Sequence, residues 1–299
     1  MHHKTHSGNR RQFLILAGGV AAGSILGMQP VSAASEQPKS LAGVIGITTG
    51  GLDHQRLNGI LNVFTLPEFV RDELEMQLID LNTRWMESFD LAYARRVRKT
   101  AEEKGCYFTN LKVNHKFGDL YSKDANERSE AMTKAQELIV CAKSLGCRWV
   151  RFPVPKFAAG DDNSKLNAHR ALAAFAKPHG IQLLVENGTT TDPDSVARAV
   201  KAIGDNVAAG PDTGNWSDDV RYEGLSKSFP GAATCDFKVY DLDENRHHAR
   251  YDIKRCFNIA WQAGFRGPWA IEHWNEDTRA FARETKFLRD QLKQWMAAE

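Results

Sequence analysis

The sequence is short of the features that would place it quickly. Cysteine is scarce, five in 299 residues, and Cys106, Cys141, Cys147, Cys235 and Cys256 make an odd set without zinc-type pairs. A disulfide framework is neither needed at this length nor indicated by that spacing. An excess of charge of one sign is also missing, since 39 lysines and arginines face 37 aspartates and glutamates. Such a chain has no global field for gathering polyanions, so nucleic acid is not an expected partner. The turn after the first apolar run, Thr48-Thr49-Gly50-Gly51, lacks the glycine spacing of a dinucleotide fingerprint. There is no internal linker rich in proline, glycine or serine, and hence no sign of a second domain.

What is present begins with a leader. Asn9-Arg10-Arg11-Gln12-Phe13-Leu14 opens an apolar, small-residue run from Phe13 to Met28, and Val31-Ser32-Ala33 follows with small residues where a signal peptidase reads. Basic region, apolar region and small-residue exit together read as an export signal over residues 1–33. The paired arginines resemble the twin-arginine type, with Asn9 and Ile15 as departures from its usual pattern. The run is 16 residues long, short of the ~20 that a span needs. We therefore expect an exported, periplasmic or otherwise extracytoplasmic protein with no stable membrane association after cleavage. The leader holds Lys4, Arg10 and Arg11 and no acid, so the remainder carries 36 basic against 37 acidic residues.

After a short linker at 34–40, the pattern changes period repeatedly. Short apolar runs fall near 43–48, 77–82, 106–114, 148–154, 181–186, 206–212, 233–240 and 268–273. Amphipathic stretches such as Leu91–Lys104, Asn126–Ser144, Leu166–Lys177, Asp194–Ile203 and Ile253–Ala263 separate them, and residues 276–297 form a last charged helix. Eight strands each followed by a helix, in ~260 residues, is the signature of a single (β/α)8 TIM barrel, here over residues 41–299.

Side-chain alternation then sorts the strands into an outer and an inner face. Apolar Ile181, Leu183 and Val185 face the helices, which turns Glu186 inward. The same argument sends Ala270 and Glu272 inward, puts Ala208, Gly210 and Asp212 on one face, and leaves Asp236 and Lys238 inside. In strand 3, Thr109, Leu111 and Val113 are expected outside, with Asn110, Lys112 and Asn114 inside; in strand 4, Arg151 turns inward. Several of these polar residues sit at the C-terminal ends of strands, where barrel enzymes build their sites.

Three phrases, Leu184-Val185-Glu186-Asn187, Pro211-Asp212-Thr213-Gly214-Asn215 and Ala270-Ile271-Glu272, resemble the xylose isomerase-like TIM barrels. That superfamily includes sugar isomerases and epimerases, hydroxypyruvate isomerases, inosose dehydratases and endonuclease IV-type repair enzymes. The resemblance implies that carboxylates after strands 5, 6 and 8 bind one divalent metal together with a residue in strand 7. Carried over, the set is Glu186, Asp212, Asp236 and Glu272. Two positions depart from the family: the usual His-x-Lys of strand 7 reads Asp236-Phe237-Lys238, and Asn215 stands where several epimerases place a histidine. Aspartate is shorter than histidine, so Asp236 is expected to be the weaker ligand.

The chemistry agrees with the resemblance. Moving a proton beside a sugar carbonyl requires stabilising an enediolate, which a divalent cation can do, while Glu186 and Glu272 remove and return the proton. An all-oxygen set favours Mn²⁺ or Mg²⁺. Four carboxylates exceed one metal's charge, so Lys112, Lys238 or Arg151 must compensate. Asn114, His115, Arg151, Trp216, Lys238 and Arg246 are the expected substrate contacts, with Trp216 and Trp274 as a sugar-stacking wall or as loop anchors. His273 lies on the outward parity and is expected to pack or support. The basic run Arg95-Arg96-Val97-Arg98-Lys99 reads as a solvated helix face. The leading function is a metal-dependent isomerase or epimerase acting on a sugar or sugar-like keto substrate. A lyase or glycoside-cleaving enzyme for 3-keto sugars and a non-catalytic sugar-binding barrel are the alternatives.

Overall fold

The computed structural model describes residues 37–299, so the expected leader at 1–33 and part of the linker at 34–40 lie outside the described residues. Eight strands, β1 (Ile45–Thr48), β2 (Leu78–Asn82), β3 (Tyr107–Lys112), β4 (Trp149–Arg151), β5 (Gln182–Val185), β6 (Val207–Ala209), β7 (Cys235–Val239) and β8 (Trp269–His273), pair in the order β6-β5-β4-β3-β2-β1-β8-β7. Every strand pair in that sheet is parallel. The two ends of the series meet through backbone bonds: Ala233 N–H donates to the Ala209 carbonyl at 2.9 Å, Asp236 N–H to Pro211 at 2.9 Å, and Thr213 N–H to Asp236 at 3.0 Å. The fold is a (β/α)8 barrel.

Helices α1 (Asp53–Leu57), α2 (Leu66–Asp72), α3 (Leu91–Glu103), α4 (Ala125–Leu145), α5 (Asn167–Ala176), α6 (Ser195–Ile203), α7 (Arg221–Ser228), α8 (Ile253–Gln262) and α9 (Thr278–Ala297) surround it. Their limits follow from capping chemistry. Asp90, Asp124, Asp252 and Asp277 each accept backbone N–H bonds at the start of α3, α4, α8 and α9, satisfying donors that a helix start leaves free. Gly146 ends α4 in the left-handed region at φ 85°. On α3, Tyr93, Ala94, Val97 and Ala101 are buried along one stripe, and the basic run Arg95–Lys99 turns its charges outward.

The barrel interior is layered. Leu41, Leu78, Tyr107, Trp149, Leu184 and Ala208 form an apolar cluster of their own, separate from the main core between strands and helices. Gly46 gives this plug room, because a Cβ there would lie 2.4 Å from the Leu78 carbonyl oxygen. Two expectations change at this level. Strand 4 stops at Arg151, short of the expected 154, because Pro153 and Pro155 offer no N–H to a ladder. Strand 3 carries a bulge: Ile79 pairs with Phe108 and Asp80 with Asn110, which skips Thr109. Its hydroxyl therefore donates to buried Asp80 Oδ1 at 2.6 Å instead of facing the helices as alternation implied.

Outside the barrel, Trp269 is fully buried, with ring centroids of Phe229, Phe237, Phe257 and Phe265 at 4.9–6.5 Å. Trp269→Ala should cost about 3–5 kcal/mol, the range for deleting a large buried aromatic. Urea unfolding followed by circular dichroism checks this; a loss below about 1 kcal/mol would mean the cluster collapses to fill the space.

Candidate active site

Above the apolar plug the inward positions turn polar, and the C-terminal ends of the strands enclose a cavity of about 350 Å³. Glu186 enters it from just beyond β5, Glu272 from β8, Lys112 from β3, Arg151 from β4 and Lys238 from β7, with Asp212 and Asp236 buried beside them. Carboxylate oxygens of Glu186, Asp212 and Asp236 lie within 4.8 Å of one another. All three expected compensating cations are in the same cluster. Lys112 Nζ contacts Asp236 Oδ2 and lies 3.7 Å from Glu186 Oε2, Arg151 Nε is 2.9 Å from Glu186 Oε2, and Lys238 Nζ is 2.9 Å from Asp212 Oδ2 and 3.1 Å from Glu272 Oε1.

The family-like phrases divide between carboxylates that face the cluster and residues that hold the backbone. Asn187 uses both ends of its amide on the backbone of Asp212, accepting from its N–H at 2.8 Å and donating to its carbonyl at 3.0 Å. Asp212 Oδ1 then accepts from the N–H groups of Gly214 and Asn215 at 2.7 and 3.2 Å, which leaves Oδ2 aimed into the cluster. Thr213 Oγ1 accepts from Lys238 N–H at 3.0 Å, extending the β6–β7 junction by a side chain. Gly214 is required because a Cβ would sit 2.5 Å from Lys238 Cδ, blocking the path of that side chain along the turn. Arg221, fully buried, donates to the Thr213 carbonyl at 2.7 Å and holds the whole turn from beneath.

Electrostatics separates the carboxylates. Burial pushes Glu186 up, but Arg151, Lys112 and Lys238 outweigh it and hold the carboxyl below its ordinary value. Burial pushes Asp212 up to about 6, and Lys238 offsets it only in part. Asp236 is raised by burial against the pull of Lys112, with three neighbouring carboxylates adding to the rise. Lys112 and Lys238 lose something to burial, yet the carboxylates around each keep it firmly protonated. Tyr240, whose phenol donates to Glu272 Oε1, is raised by burial and by that carboxylate and keeps its proton.

A divalent cation fits this donor set. The trio is all oxygen, as a hard ion prefers. Asp212 Oδ2 is buried and takes no backbone donor, its close partner being the Lys238 ammonium at 2.9 Å. Glu272 is not part of the trio; Tyr240 and Lys238 hold it.

The other expected residues divide between the rim of this cavity and places away from it. Asn114 lines the cavity rim. His115 stacks on Phe89 at 4.7 Å and contacts Thr83 Oγ1 at 2.8 Å, beside a neighbouring pocket. Trp216 is buried in the main core against Gly224, so its faces cannot stack on a sugar. Arg246 lies over the Phe287 ring of α9 at 4.9 Å, on a groove separate from the central cavity. Both corrections have one cause: these residues sit in loops, where strand alternation gives no direction. His273 is buried with Nδ1 near the Val239 carbonyl and Nε2 2.8 Å from Glu284 Oε2, a supporting role. Sequence reasoning passed over Tyr240, one residue beyond β7, and Asp80, which shares the inward face of β2 with Leu78 and Asn82 and lies fully buried beside Lys112's charge. Alternation in Leu78-Ile79-Asp80-Leu81-Asn82 was signal enough for Asp80.

A family model described as xylose isomerase-like TIM barrel matches residues 74–293. A search of curated proteins finds no match. Among solved structures, a xylose isomerase-like TIM barrel protein from Mycobacterium smegmatis in complex with magnesium is 18% identical with a TM-score of 0.58, covering 78% of this chain and 90% of its own. A 3-keto-D-glucoside 4-epimerase from E. coli is 12% identical with a TM-score of 0.62, covering 83% and 98%. A probable 3-DHS dehydratase from Bacillus anthracis is 13% identical with a TM-score of 0.61, covering 82% and 98%. At such identities the likeness is one of fold.

The raised Asp212 carboxyl has a consequence for stability. Unfolded aspartate releases its proton near pH ~4, whereas folded Asp212 holds it up to about 6. At Asp212 the folded state thus binds more protons in that window, and this group's contribution to metal-free stability falls as pH rises through it. Asp212→Asn should flatten this fall in urea unfolding at pH 4.5, 6 and 7.5 with chelator present. An unchanged slope would remove Asp212 as its source.

Proposed function

The chain belongs to the xylose isomerase-like TIM barrel family, and within it we propose an enzyme that moves a proton at the carbon beside the carbonyl of a sugar or sugar-like keto compound, as an isomerase or epimerase. One observation carries the reading: Glu186 and Glu272 enter the same polar cavity from positions three strands apart round the barrel, each with its own cation. Two carboxylates facing a bound sugar from different sides can take a proton from one face and return it to the other.

The residues divide the work. Glu186, held ionised by Arg151 and Lys112, is the base. Proton return falls to Glu272 and Tyr240, whose phenol keeps its proton and bonds Glu272 Oε1. Lys238 Nζ, between Asp212, Glu272 and Asn215, orients that pair and offers positive charge to oxygens of the substrate. Glu186, Asp212 and Asp236 would hold one divalent ion, Mn²⁺ or Mg²⁺ by donor type. When bound, such an ion supplies an electrophile for the carbonyl oxygen. Elimination from a 3-keto sugar is the second reading, favoured by Tyr240, which lines the cavity with a protonated phenol that could protonate a departing oxygen. The structural likeness to a 3-keto-D-glucoside epimerase and to a probable dehydratase is compatible with either outcome.

In deuterated water with a panel of keto sugars, the wild type should place solvent deuterium on carbon beside the carbonyl. Glu186→Gln and Glu272→Gln, measured at saturating metal, should each slow that exchange by roughly 10²–10⁴. Product identity separates isomerisation from elimination. Exchange unchanged in both variants would remove these glutamates from the mechanism, and sugar binding with no exchange would favour a binding protein.

The same proposal places the enzyme outside the cytoplasm, supported by the basic and apolar pattern of residues 1–33. Amino-terminal sequencing of exported protein should find a start near Ala34, and Arg10→Lys with Arg11→Lys should abolish export. A chain still beginning at Met1 would overturn cleavage.

A further inference from the structure

We propose that Lys112 is a built-in cation that shares the divalent-ion position with the ion itself, so that the mouth is largely neutralised without metal and binds metal against this lysine. The inference rests on the cation site of the preceding section and concerns what governs its occupancy.

Lys112 comes from β3, four strands round the barrel from β7, and its stem crosses the interior to reach the far wall. Only 3% of the residue is exposed, so its ammonium is committed to the cluster rather than to solvent. There it touches Asp236 and lies 3.7 Å from Glu186, two of the three residues that could ligate a metal. Because the oxygens of that trio lie within 4.8 Å of one another, a cation in contact with two of them occupies the neighbourhood in which a metal would sit. Both claim the same lone pairs, and two positive charges at that spacing repel strongly in a buried site.

The charge count points the same way. In the ionised forms that a metal would bind, Glu186, Asp212, Asp236 and Glu272 face Lys112, Lys238 and Arg151, a balance of −1 among the paired groups. Removing the Lys112 charge leaves −2, which one divalent ion balances. Lys112 and Asp236 are thus a coupled pair: an aspartate stands in β7, where the family resemblance expects histidine, and the lysine opposite neutralises it. Aspartate without the lysine would add an unbalanced buried charge, and the lysine without aspartate would lose its direct partner.

The test is Mn²⁺ affinity, by calorimetry and by the shift in melting temperature, on full-length mature protein cleared of metal with chelator. Lys112→Met keeps the stem and removes the charge. It should bind Mn²⁺ at least about tenfold more tightly than wild type, on the scale by which neighbours of metal ligands tune affinity, and show the larger Mn²⁺-induced rise in melting temperature. Lys112→Arg, which keeps the charge, should stay near wild type. Should Lys112→Met fold only with Mn²⁺ present, that too supports the exchange of lysine for metal. A second comparison does not depend on that variant's folding: Asp236→His with Lys112→Met should bind Mn²⁺ more tightly than Asp236→His alone. Equal or weaker binding after loss of the lysine, in a wild type that does bind Mn²⁺, overturns this inference and leaves the metal site standing. No Mn²⁺ binding by any of these proteins overturns the metal site and the inference with it.

Discussion

Four carboxylates cluster at the mouth of the barrel, Glu186 and Glu272 lining a cavity of about 350 Å³ and Asp212 and Asp236 buried beside it, and three cations hold them there. Bringing like charges out of water to within a few ångströms of one another is unfavourable unless opposite charge lies among them. The placement of nearly every neighbouring polar group can be read from that requirement. Lys112 crosses the pore, Arg151 covers Glu186, and Lys238 bridges Asp212 and Glu272. The backbone is shaped to let them do so, most clearly at Gly214, whose missing side chain is the room that Lys238 occupies.

The same balance divides chemical roles among groups of one kind. Glu186 gains three favourable cations and is held below the ordinary glutamate range, while Asp212 and Asp236, more deeply buried, are raised. A base that is ionised at neutral pH and carboxyls that readily keep a proton thus coexist within one cluster. Tyr240 extends the pattern to the rim, where a phenol kept protonated by burial supplies a donor next to Glu272. Metal binding would act on this same ledger of charge, which is why the number of cations already present matters as much as the number of ligands.

Much of this was legible in the sequence where the backbone is regular. Alternation along strands 4 to 8 sent Arg151, Glu186, Asp212, Asp236, Lys238 and Glu272 to one charged cluster, because in a barrel wall a two-residue period leaves each side chain a single choice of face. The argument failed where that period breaks. At Thr109 a bulge adds one residue, and the hydroxyl turns to Asp80. Trp216 and Arg246 lie past strand ends, where loop geometry rather than pleat decides direction, and one went into the core and the other onto Phe287. Asp80 was legible but passed over, since an acid in mid-strand carries no motif to call attention to it.

The phrases that resemble the family testify to different things at different atoms. Asn187, Thr213 and Gly214 never point at a substrate; they hold backbone and aim carboxylates. Their presence therefore speaks for the geometry of the mouth and not for what enters it. At the rim, Asn114, Tyr240 and the Asp53–Arg84 ion pair line the same cavity, and none of these stands in the three phrases. A chain can thus carry the architecture of the mouth in three short motifs while the lining of its rim comes from loops that follow no periodicity. The pairing of Asp236 with Lys112 lies between these two levels. It is built on strands and so is fixed by the fold, yet it sets the charge that any metal or substrate meets.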